Sequence, residues 1–176
     1  MGSTKCYWIT GLPAAGKTTL AKALTLSLHQ SGVATALLDG DELRKGLCAD
    51  LGLTDADRTE NIRRAGEVAR LMADAGLTVV CAFVSPFEKD RQRVRGLFAP
   101  GQFAEVYLST SLQECARRDP KQLYARAKAG ALTGLTGWDS PYEAPADPDF
   151  TFDTQRTSTD QMVGVLVRSP QPSTGA

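Results

Sequence analysis

Residues 8–24 read WITGLPAAGKTTLAKAL and contain the most informative pattern in the chain. Gly11, Gly16, Lys17 and Thr18 satisfy the pattern G-x-x-x-x-G-K-[ST] of a phosphate-binding loop, or P-loop. An apolar stretch precedes the pattern and an amphipathic stretch follows it, which is the strand–loop–helix context that such a loop requires. The sequence therefore predicts that backbone N–H groups between a strand and a helix bind the phosphates of a nucleotide.

The side chains of the P-loop refine this prediction. Lys17 is expected to reach the β- and γ-phosphates of the bound nucleotide, and the hydroxyl of Thr18 is expected to bind Mg²⁺. Pro13 and Ala14 replace residues that are often Ser and Gly in such loops, which makes the loop stiffer and leaves Pro13 without an N–H group to donate. The loop residues predicted to bind the nucleotide are Gly11, Ala14, Ala15, Gly16, Lys17, Thr18 and Thr19.

Short apolar stretches alternate with helical stretches along the chain and predict the fold class. Strands are expected at 6–10, 33–38, 77–83 and 103–108, with 150–152 as a further candidate. Helices are expected at 17–30, about 60–75, about 87–97, 112–118 and 158–167. This alternation predicts an α/β fold, namely a three-layer P-loop NTPase fold with a central, mainly parallel β-sheet flanked by helices.

Length and composition favour one domain. The chain has 176 residues, of which 42% are hydrophobic and 23% charged, and one domain usually takes roughly 100–200 residues. We expect a single P-loop domain over 1–168 and a flexible tail at 169–176. Between about 119 and 148 the regular pattern fails among many glycines and prolines, which predicts a lid. The cations around its start suit closure over phosphates: Arg117, Arg118, Lys121, Arg126 and Lys128.

Charge and cysteine content argue against several classes of function. Twenty Lys and Arg residues balance twenty Asp and Glu residues, so no general basic field is present to hold a nucleic acid. No apolar run approaches the roughly 20 residues that a membrane span needs, and no signal peptide is recognisable. The four cysteines are widely spaced, so we expect reduced thiols in a cytoplasmic protein.

Polar residues follow the expected strands at the edge where ligands of parallel sheets bind. Asp39, Asp41 and Arg44 follow the second strand, and two carboxylates with a guanidinium suit Mg²⁺ binding, proton acceptance from a hydroxyl and anion binding. Asp-Gly-Asp is also good turn chemistry, but the neighbouring P-loop favours a catalytic role. Arg58 and Asn61, three residues apart on one helix face, suit an anionic ester.

Six motifs occur in the order and approximate spacing of one kinase family. They read GLPAAGKTT, LDGDELR, DRTENIRR, FVSPFEKDR, EVYL…CARRDPKQLY and TGLTGWDSPYEAP. Over about 8–152, nearly its whole length, the chain resembles the adenylylsulfate kinases (APS kinases). Six ordered motifs are far more specific than a P-loop alone.

The resemblance implies an activity. APS kinases transfer the γ-phosphoryl group of ATP, with Mg²⁺, to the 3′-hydroxyl of adenosine 5′-phosphosulfate (APS), giving 3′-phosphoadenosine 5′-phosphosulfate (PAPS) and ADP. The chain is thus expected to be a phosphotransferase of sulfate activation with a small-molecule substrate. Relatives are commonly dimers, which allows a homodimer here.

The resemblance also implies roles for individual residues. Asp41 is expected beside the acceptor hydroxyl and Arg118 beside the adenine of ATP. Ser85 matches a serine that has been considered a phosphoenzyme site in some relatives, but we expect direct in-line transfer because a P-loop, Mg²⁺ and a base suffice. The expected catalytic residues are Lys17, Asp41 and Ser85. The residues expected to bind the acceptor are Asp39, Asp41, Arg44, Leu53, Arg58, Asn61, Phe83, Val84, Ser85 and Leu135.

Three positions depart from the family pattern on the acceptor side. Leu53 and Leu135 stand where phenylalanines that resemble an adenine clamp are typical, and Thr133 stands where lysine is usual. Leucine lacks a π-face, so stacking of about 0.5–1.5 kcal/mol per ring pair is missing. Phe83 or Trp138 would offer a flat surface from another direction.

Two alternative functions stay open at this point. The first is an APS-kinase-like enzyme for a different nucleotide-like acceptor, as in relatives that phosphorylate cytidine diphosphoramidate. The second is a non-catalytic nucleotide-binding protein. A regulatory switch would normally carry an N-K-x-D-type base reader and a catalytic glutamine, and neither is found in the sequence.

Overall fold

One five-stranded parallel sheet organises the protein, which a computed structural model describes over residues 5–168. The strands are β1 (Cys6–Gly11), β2 (Thr35–Asp39), β3 (Thr78–Ala82), β4 (Phe103–Leu108) and β5 (Phe150–Phe152), in the spatial order β2-β3-β1-β4-β5. The helices are α1 (Lys17–Gln30), α2 (Gly40–Leu43), α3 (Asp55–Asp74), α4 (Glu88–Arg95), α5 (Leu112–Arg118), α6 (Leu123–Lys128) and α7 (Thr159–Arg168). All neighbouring strands pair in parallel, which confirms the predicted α/β class.

Alternate residues of β1 enter two different hydrophobic cores. Tyr7 and Ile9 pack into a core that includes α1 and α7, whereas Cys6 and Trp8 pack into a second core that includes α3 and α4. A parallel sheet covered on both faces needs apolar side chains at successive positions, which is why its strands read as continuous apolar runs. The result is the predicted three-layer arrangement.

The N-terminus of α3 lies earlier than the expected start at about residue 60. Thr54 and Asp57 form a reciprocal capping box, in which each side chain accepts a hydrogen bond from the backbone N–H of the other residue. The [ST]-x-x-[DE] spacing of these residues in the sequence predicts this cap, and α3 begins directly after Thr54.

Segment 119–148 contains one element that the sequence pattern does not predict. The helix α6 lies inside it, so the expectation that regular structure fails throughout the segment was wrong there. Two hydrogen bonds that are not part of the backbone pattern of the helix stabilise it. Asp119 accepts a hydrogen bond from the N–H of Ala125 at 2.9 Å, and the buried Tyr124 donates its hydroxyl to the carbonyl of Pro13 in the P-loop at 2.9 Å.

Two further expectations concern the termini and the thiols. The predicted tail at 169–176 lies outside the described residues. All four cysteines lie within the described range, and each is buried and free of disulfide bonds. Within residues 5–168, no helix combines the length and the apolar character needed to cross a membrane.

Candidate active site

A cavity of about 560 Å³ opens at the carboxyl edge of the sheet, where the P-loop leaves β1. Its walls come from the P-loop, the ends of β2 and β3, the start of α3 and segment 119–148. This is the edge at which ligands bind to parallel α/β sheets. The predicted site residues that line the cavity are Ala14, Gly16, Lys17, Thr18, Thr19, Asp39, Asp41, Arg44, Leu53, Arg58, Asn61, Phe83, Val84, Ser85, Arg118 and Leu135.

Two predicted P-loop residues, Gly11 and Ala15, are buried and do not line the cavity. The backbone of Gly11 passes so close to β4 that a Cβ atom there would lie 2.9 Å from the carbonyl oxygen of Leu108. The N–H of Ala15 donates to the carbonyl of Leu12 at 3.1 Å. Both residues therefore determine the backbone conformation of the loop without facing the cavity. The close approach to Leu108 explains why a glycine is needed at position 11.

Lys17 is the first residue of α1, directly after the turn of the P-loop, and its hydrogen-bond partners do not neutralise its charge. Its ammonium donates to the carbonyl oxygens of Gly11 at 2.9 Å and Leu12 at 2.7 Å. Burial lowers the pKa of Lys17 to about 8, because desolvation disfavours the charged form. Since both partners are neutral, this cation is available to an anion that enters the cavity.

Thr18 and Asp39 bring two hard oxygen donors together beside the P-loop. The hydroxyl of Thr18 donates to one carboxylate oxygen of Asp39 at 2.7 Å, and the other oxygen accepts the N–H of Asp41 at 2.9 Å. Magnesium ions are usually held by one or two protein oxygens together with substrate phosphates and water. The donor set therefore fits Mg²⁺, with Asp39 joining the predicted ligand Thr18.

Asp41 lines the same cavity as the P-loop and pairs with a residue of segment 119–148. Its carboxylate forms an ion pair with the ammonium of Lys121, and both side chains are more than half exposed. Exposed pairs of this kind are worth little, about 0–1 kcal/mol, so an incoming ligand can displace the contact. The sequence marks Lys121 only as one cation of a basic run, and the pairing with Asp41 is tertiary information.

Arg58 is held by protein groups on the side of the cavity where the acceptor is expected, called here the acceptor side. Its Nε donates to the carbonyl of Leu53 at 2.9 Å, and its two terminal nitrogens donate to the hydroxyl of Thr136 and the carbonyl of Gly134. These contacts use three of the five N–H groups of a guanidinium, so two remain for an anion. Thr136 also lines the cavity, and no signal in the sequence identified it.

The neighbours of Arg58 add further polar groups. Asn61 is buried, and among the described residues its side-chain oxygen has no hydrogen-bond partner. The guanidinium of Arg44 donates to the carbonyl of Gly52 at 3.1 Å. The acceptor side thus combines two guanidinium groups with an amide, which is the chemistry expected for an anionic ester.

The apolar positions of the acceptor side differ in exposure. Leu135 is buried in segment 119–148, whereas Leu53 is 49% exposed, although both line the cavity. Phe83 lines the cavity and stacks on Trp8 with ring centroids 5.0 Å apart. Trp138 packs edge-on against another aromatic ring and lines a separate, open depression. Of the two rings considered as replacement surfaces, Phe83 is therefore the one at the site.

Arg118 also lines the cavity and is linked to the P-loop through Thr154. Its guanidinium donates to the carboxylate of Glu114 at 2.7 Å and to the hydroxyl of Thr154 at 2.8 Å. Thr154 in turn donates to the carbonyl of Ala15 at 3.2 Å. These contacts fix the wall on the side where the nucleotide base is expected.

The fold and the site define a class of protein, the P-loop kinases. The features that define it are a parallel sheet with a P-loop, a lysine at the phosphate site, a hydroxyl–carboxylate pair suited to Mg²⁺, and a further carboxylate in the same cavity as an anion site. Comparison with known proteins identifies the family. Residues 3–153 match the family described as adenylylsulphate kinase. The chain belongs to the adenylylsulfate kinase family, whose members are phosphotransferases that use ATP and Mg²⁺ and act on an alcohol group.

Individual relatives agree with this assignment. The chain is 52% identical to an adenylyl-sulfate kinase of Marinobacter nauticus over 160 residues, which is 91% of this chain and 80% of that protein. It is 54% identical to an adenylyl-sulfate kinase of Pseudomonas entomophila over 90% of this chain and 76% of that protein. A Mycobacterium tuberculosis APS kinase, solved in complex with AMPPNP and APS, superposes with a TM-score of 0.89 at 41% identity, covering 96% of this chain and 100% of that one.

Proposed function

We propose that the cavity binds ATP and APS together and transfers the γ-phosphoryl group of ATP to the 3′-hydroxyl of APS, giving PAPS and ADP. The observation that carries this proposal is the meeting of Lys17, the Thr18–Asp39 pair and Asp41 in one cavity with the anion-binding side chains of the acceptor side. The similarity to adenylyl-sulfate kinases over most of the chain supports the same reaction.

The donor side of the cavity binds ATP. The P-loop amides of Ala14 to Thr19 and the ammonium of Lys17 hold the phosphates, and Arg118 lies along the base. Thr18, with Asp39 beside it, would hold Mg²⁺, which neutralises charge on the β- and γ-phosphate oxygens. The lowered pKa of Lys17 reports an ammonium that burial leaves poorly solvated until an anion is bound.

The acceptor side binds APS and activates its hydroxyl. Asp41 accepts the proton of the 3′-hydroxyl, and the transfer is direct and in line. Lys121 leaves Asp41 when ligands enter, and its charge is then free to turn to the phosphates. The phosphosulfate binds Arg44, Arg58 and Asn61. The surfaces around the acceptor base come from Leu53, Phe83, Val84 and Leu135.

Three broader features belong to the same proposal. Residues 1–168 act as one kinase domain, in which segment 119–148 is a lid that excludes water from the transfer. The enzyme works in the cytoplasm, in keeping with its four buried free thiols. It forms a homodimer, which light scattering of the purified chain checks; a hexameric APS kinase from Thiobacillus denitrificans, 28% identical to this chain, is another assembly in the family.

A coupled assay of ADP release tests the reaction. Saturable turnover is expected with ATP, Mg²⁺ and APS, with PAPS identified by chromatography. Asp41→Asn keeps the shape of the side chain but removes the base, so kcat is expected to fall by about 10²–10⁴-fold. Glu42→Gln, which alters an adjacent exposed carboxylate that pairs with Lys45, is the matched control and should leave turnover unchanged.

A panel of acceptors separates this function from the alternatives. Other nucleoside phosphosulfates, nucleoside diphosphates and cytidine diphosphoramidate are offered beside APS. Turnover of one of these without APS turnover would mean that Leu53 and Leu135 mark a changed base specificity. ATP binding without turnover of any acceptor would favour a non-catalytic nucleotide-binding protein.

A further inference from the structure

Ser85, just after the end of β3, is buried in an unusual backbone conformation and is held by two hydrogen bonds. It follows β3, is 1% exposed, lines the cavity and has a backbone φ of 40°, which non-glycine residues rarely adopt. Its side-chain oxygen accepts a hydrogen bond from the indole N–H of Trp8 at 3.1 Å. Its carbonyl accepts a hydrogen bond from Arg91 at 2.7 Å. The strained backbone is therefore fixed on two sides.

The hydrogen-bond inventory shows which group of Ser85 remains available. An indole nitrogen donates only, so the oxygen of Ser85 is the acceptor in its contact with Trp8 and keeps its own hydrogen. Among the described residues, no group accepts that hydrogen. A buried donor without an acceptor is unfavourable, and an anionic oxygen in the cavity would satisfy it. The hydroxyl of Ser85 can thus donate a hydrogen bond to an anionic ligand in the cavity.

The hydrogen-bond partner of the Ser85 hydroxyl also argues against a nucleophilic serine. A serine nucleophile needs an adjacent general base to take its proton. Within residues 5–168, the side chain hydrogen-bonded to the hydroxyl of Ser85 is that of Trp8, which has no basic atom. The arrangement therefore suits binding and not formation of a phosphoserine.

Trp8 and Arg91 are themselves immobilised, so they can act as fixed supports. Trp8 is fully buried and stacks between Phe83 at 5.0 Å and Phe103 at 6.2 Å, measured between ring centroids. Arg91 is buried and donates to the carboxylate of Glu105 at 2.8 Å. Because Phe83 also lines the cavity, Trp8 supports two neighbouring surfaces of the acceptor side at once.

On the basis of the function proposed above, we propose that Trp8 is a positioning residue that fixes Ser85 as a hydrogen-bond donor to an anionic oxygen of the acceptor. Trp8 touches no substrate and acts through the serine hydroxyl. Ser85 contributes to acceptor binding and forms no covalent intermediate.

Steady-state kinetics of three variants test this role. Ser85→Ala removes the donor, and Trp8→Phe keeps an aromatic ring but removes the indole N–H. Each is expected to raise KM for APS by about tenfold, with KM for ATP unchanged, because one hydrogen bond to a charged group is lost. The double variant should be no weaker than the more affected single variant, since both changes remove the same contact. Trp138→Phe, the same substitution outside the cavity, is the matched control.

Two further measurements keep the test decisive. Incubation with γ-³²P-ATP should leave no label on the enzyme. If Trp8→Phe fails to fold, β-(3-benzothienyl)alanine placed at position 8 in the Trp138→Phe background removes the N–H alone. Additive effects, an unchanged KM for APS in Ser85→Ala, or label on Ser85 would overturn the inference while the wild type remains active. A wild type without APS turnover would instead overturn the proposed function, and the inference with it.

Discussion

Lys17 combines burial with a charge that the reaction needs. Burial lowers the pKa of its ammonium from the ordinary 10.5 to about 8. In the free enzyme Lys17 therefore loses its charge, and with it the attraction for phosphates, as the pH rises through about 8. We expect kcat/KM for ATP to fall above this pH, whereas kcat should persist to higher pH because bound phosphates favour the charged form.

A pH–rate profile at saturating APS checks this expectation. Lys22→Gln, which alters an exposed lysine of α1, should leave the profile unchanged, and a profile that stays flat to about pH 9.5 would contradict the assignment. The stability effect has a defined sign. Since the folded-state pKa lies below the unfolded one, charged Lys17 opposes folding fully below about pH 8, and this penalty disappears as the pH rises towards 10.5.

At the scale of elements, Arg58 joins the start of α3 to segment 119–148 through Thr136. Thr136→Val keeps the shape of the side chain but removes the oxygen that accepts from Arg58. We expect KM for APS to rise by roughly three- to tenfold, because the guanidinium is less well aimed at its anion. Thr136→Ser keeps the hydroxyl and should behave as the wild type; equal defects in both variants would show that the methyl group matters and the hydrogen bond does not.

The far end of segment 119–148 is bound to the loop after β3 by a chain of hydroxyl groups. Thr10 donates to the carbonyl of Val84 at 2.7 Å, so the hydroxyl of Tyr142, 2.9 Å away, must be the donor to Thr10. Tyr142→Phe is expected to lower the free energy of unfolding by about 0.5–1.5 kcal/mol, as measured by urea denaturation. The control is Tyr107→Phe, since the ring of Tyr107 stacks on that of Tyr142. This substitution should change the free energy of unfolding by less than about 0.5 kcal/mol.

At the scale of the whole molecule, a buried ion pair connects helix α4 to strand β4 of the central sheet. Arg91 and Glu105 are each 1% exposed, and their side chains meet at 2.8 Å. Glu105→Gln removes one of the negative charges that balance the buried guanidinium of Arg91, although Glu88 still pairs with it. We expect a loss of about 3 kcal/mol in the free energy of unfolding, at the lower end of the range for breaking a buried pair.

A partly exposed ion pair of the same chemistry provides the comparison. Glu67 pairs with Arg70 on the surface of α3 at 3.4 Å, and Glu67→Gln should cost less than about 1 kcal/mol. Urea denaturation of both variants measures the difference. Equal losses would mean that burial does not set the energy of the Arg91–Glu105 contact.

Much of the fold and the site could be predicted from local sequence. The P-loop pattern, the apolar runs and the capping box at Thr54 each involve residues close in the chain, so their geometry follows from backbone preferences and short-range hydrogen bonds. The helix α6 escaped prediction because its anchor is the contact of Tyr124 with Pro13, 111 positions away. Thr136 escaped for the same reason, since its partner Arg58 is 78 positions away.

The fold class, the position of the P-loop and the set of polar residues at the strand ends follow from local sequence, because strand–loop–helix units form from neighbouring residues and parallel strands share one ligand edge. The contacts that those polar residues make depend on how distant segments pack together. The strand order puts β1 beside β3, which brings Trp8 to Ser85, and segment 119–148 returns over that edge, which brings Lys121 to Asp41. Contacts between residues about 80 positions apart depend on this packing, and no local pattern encodes them.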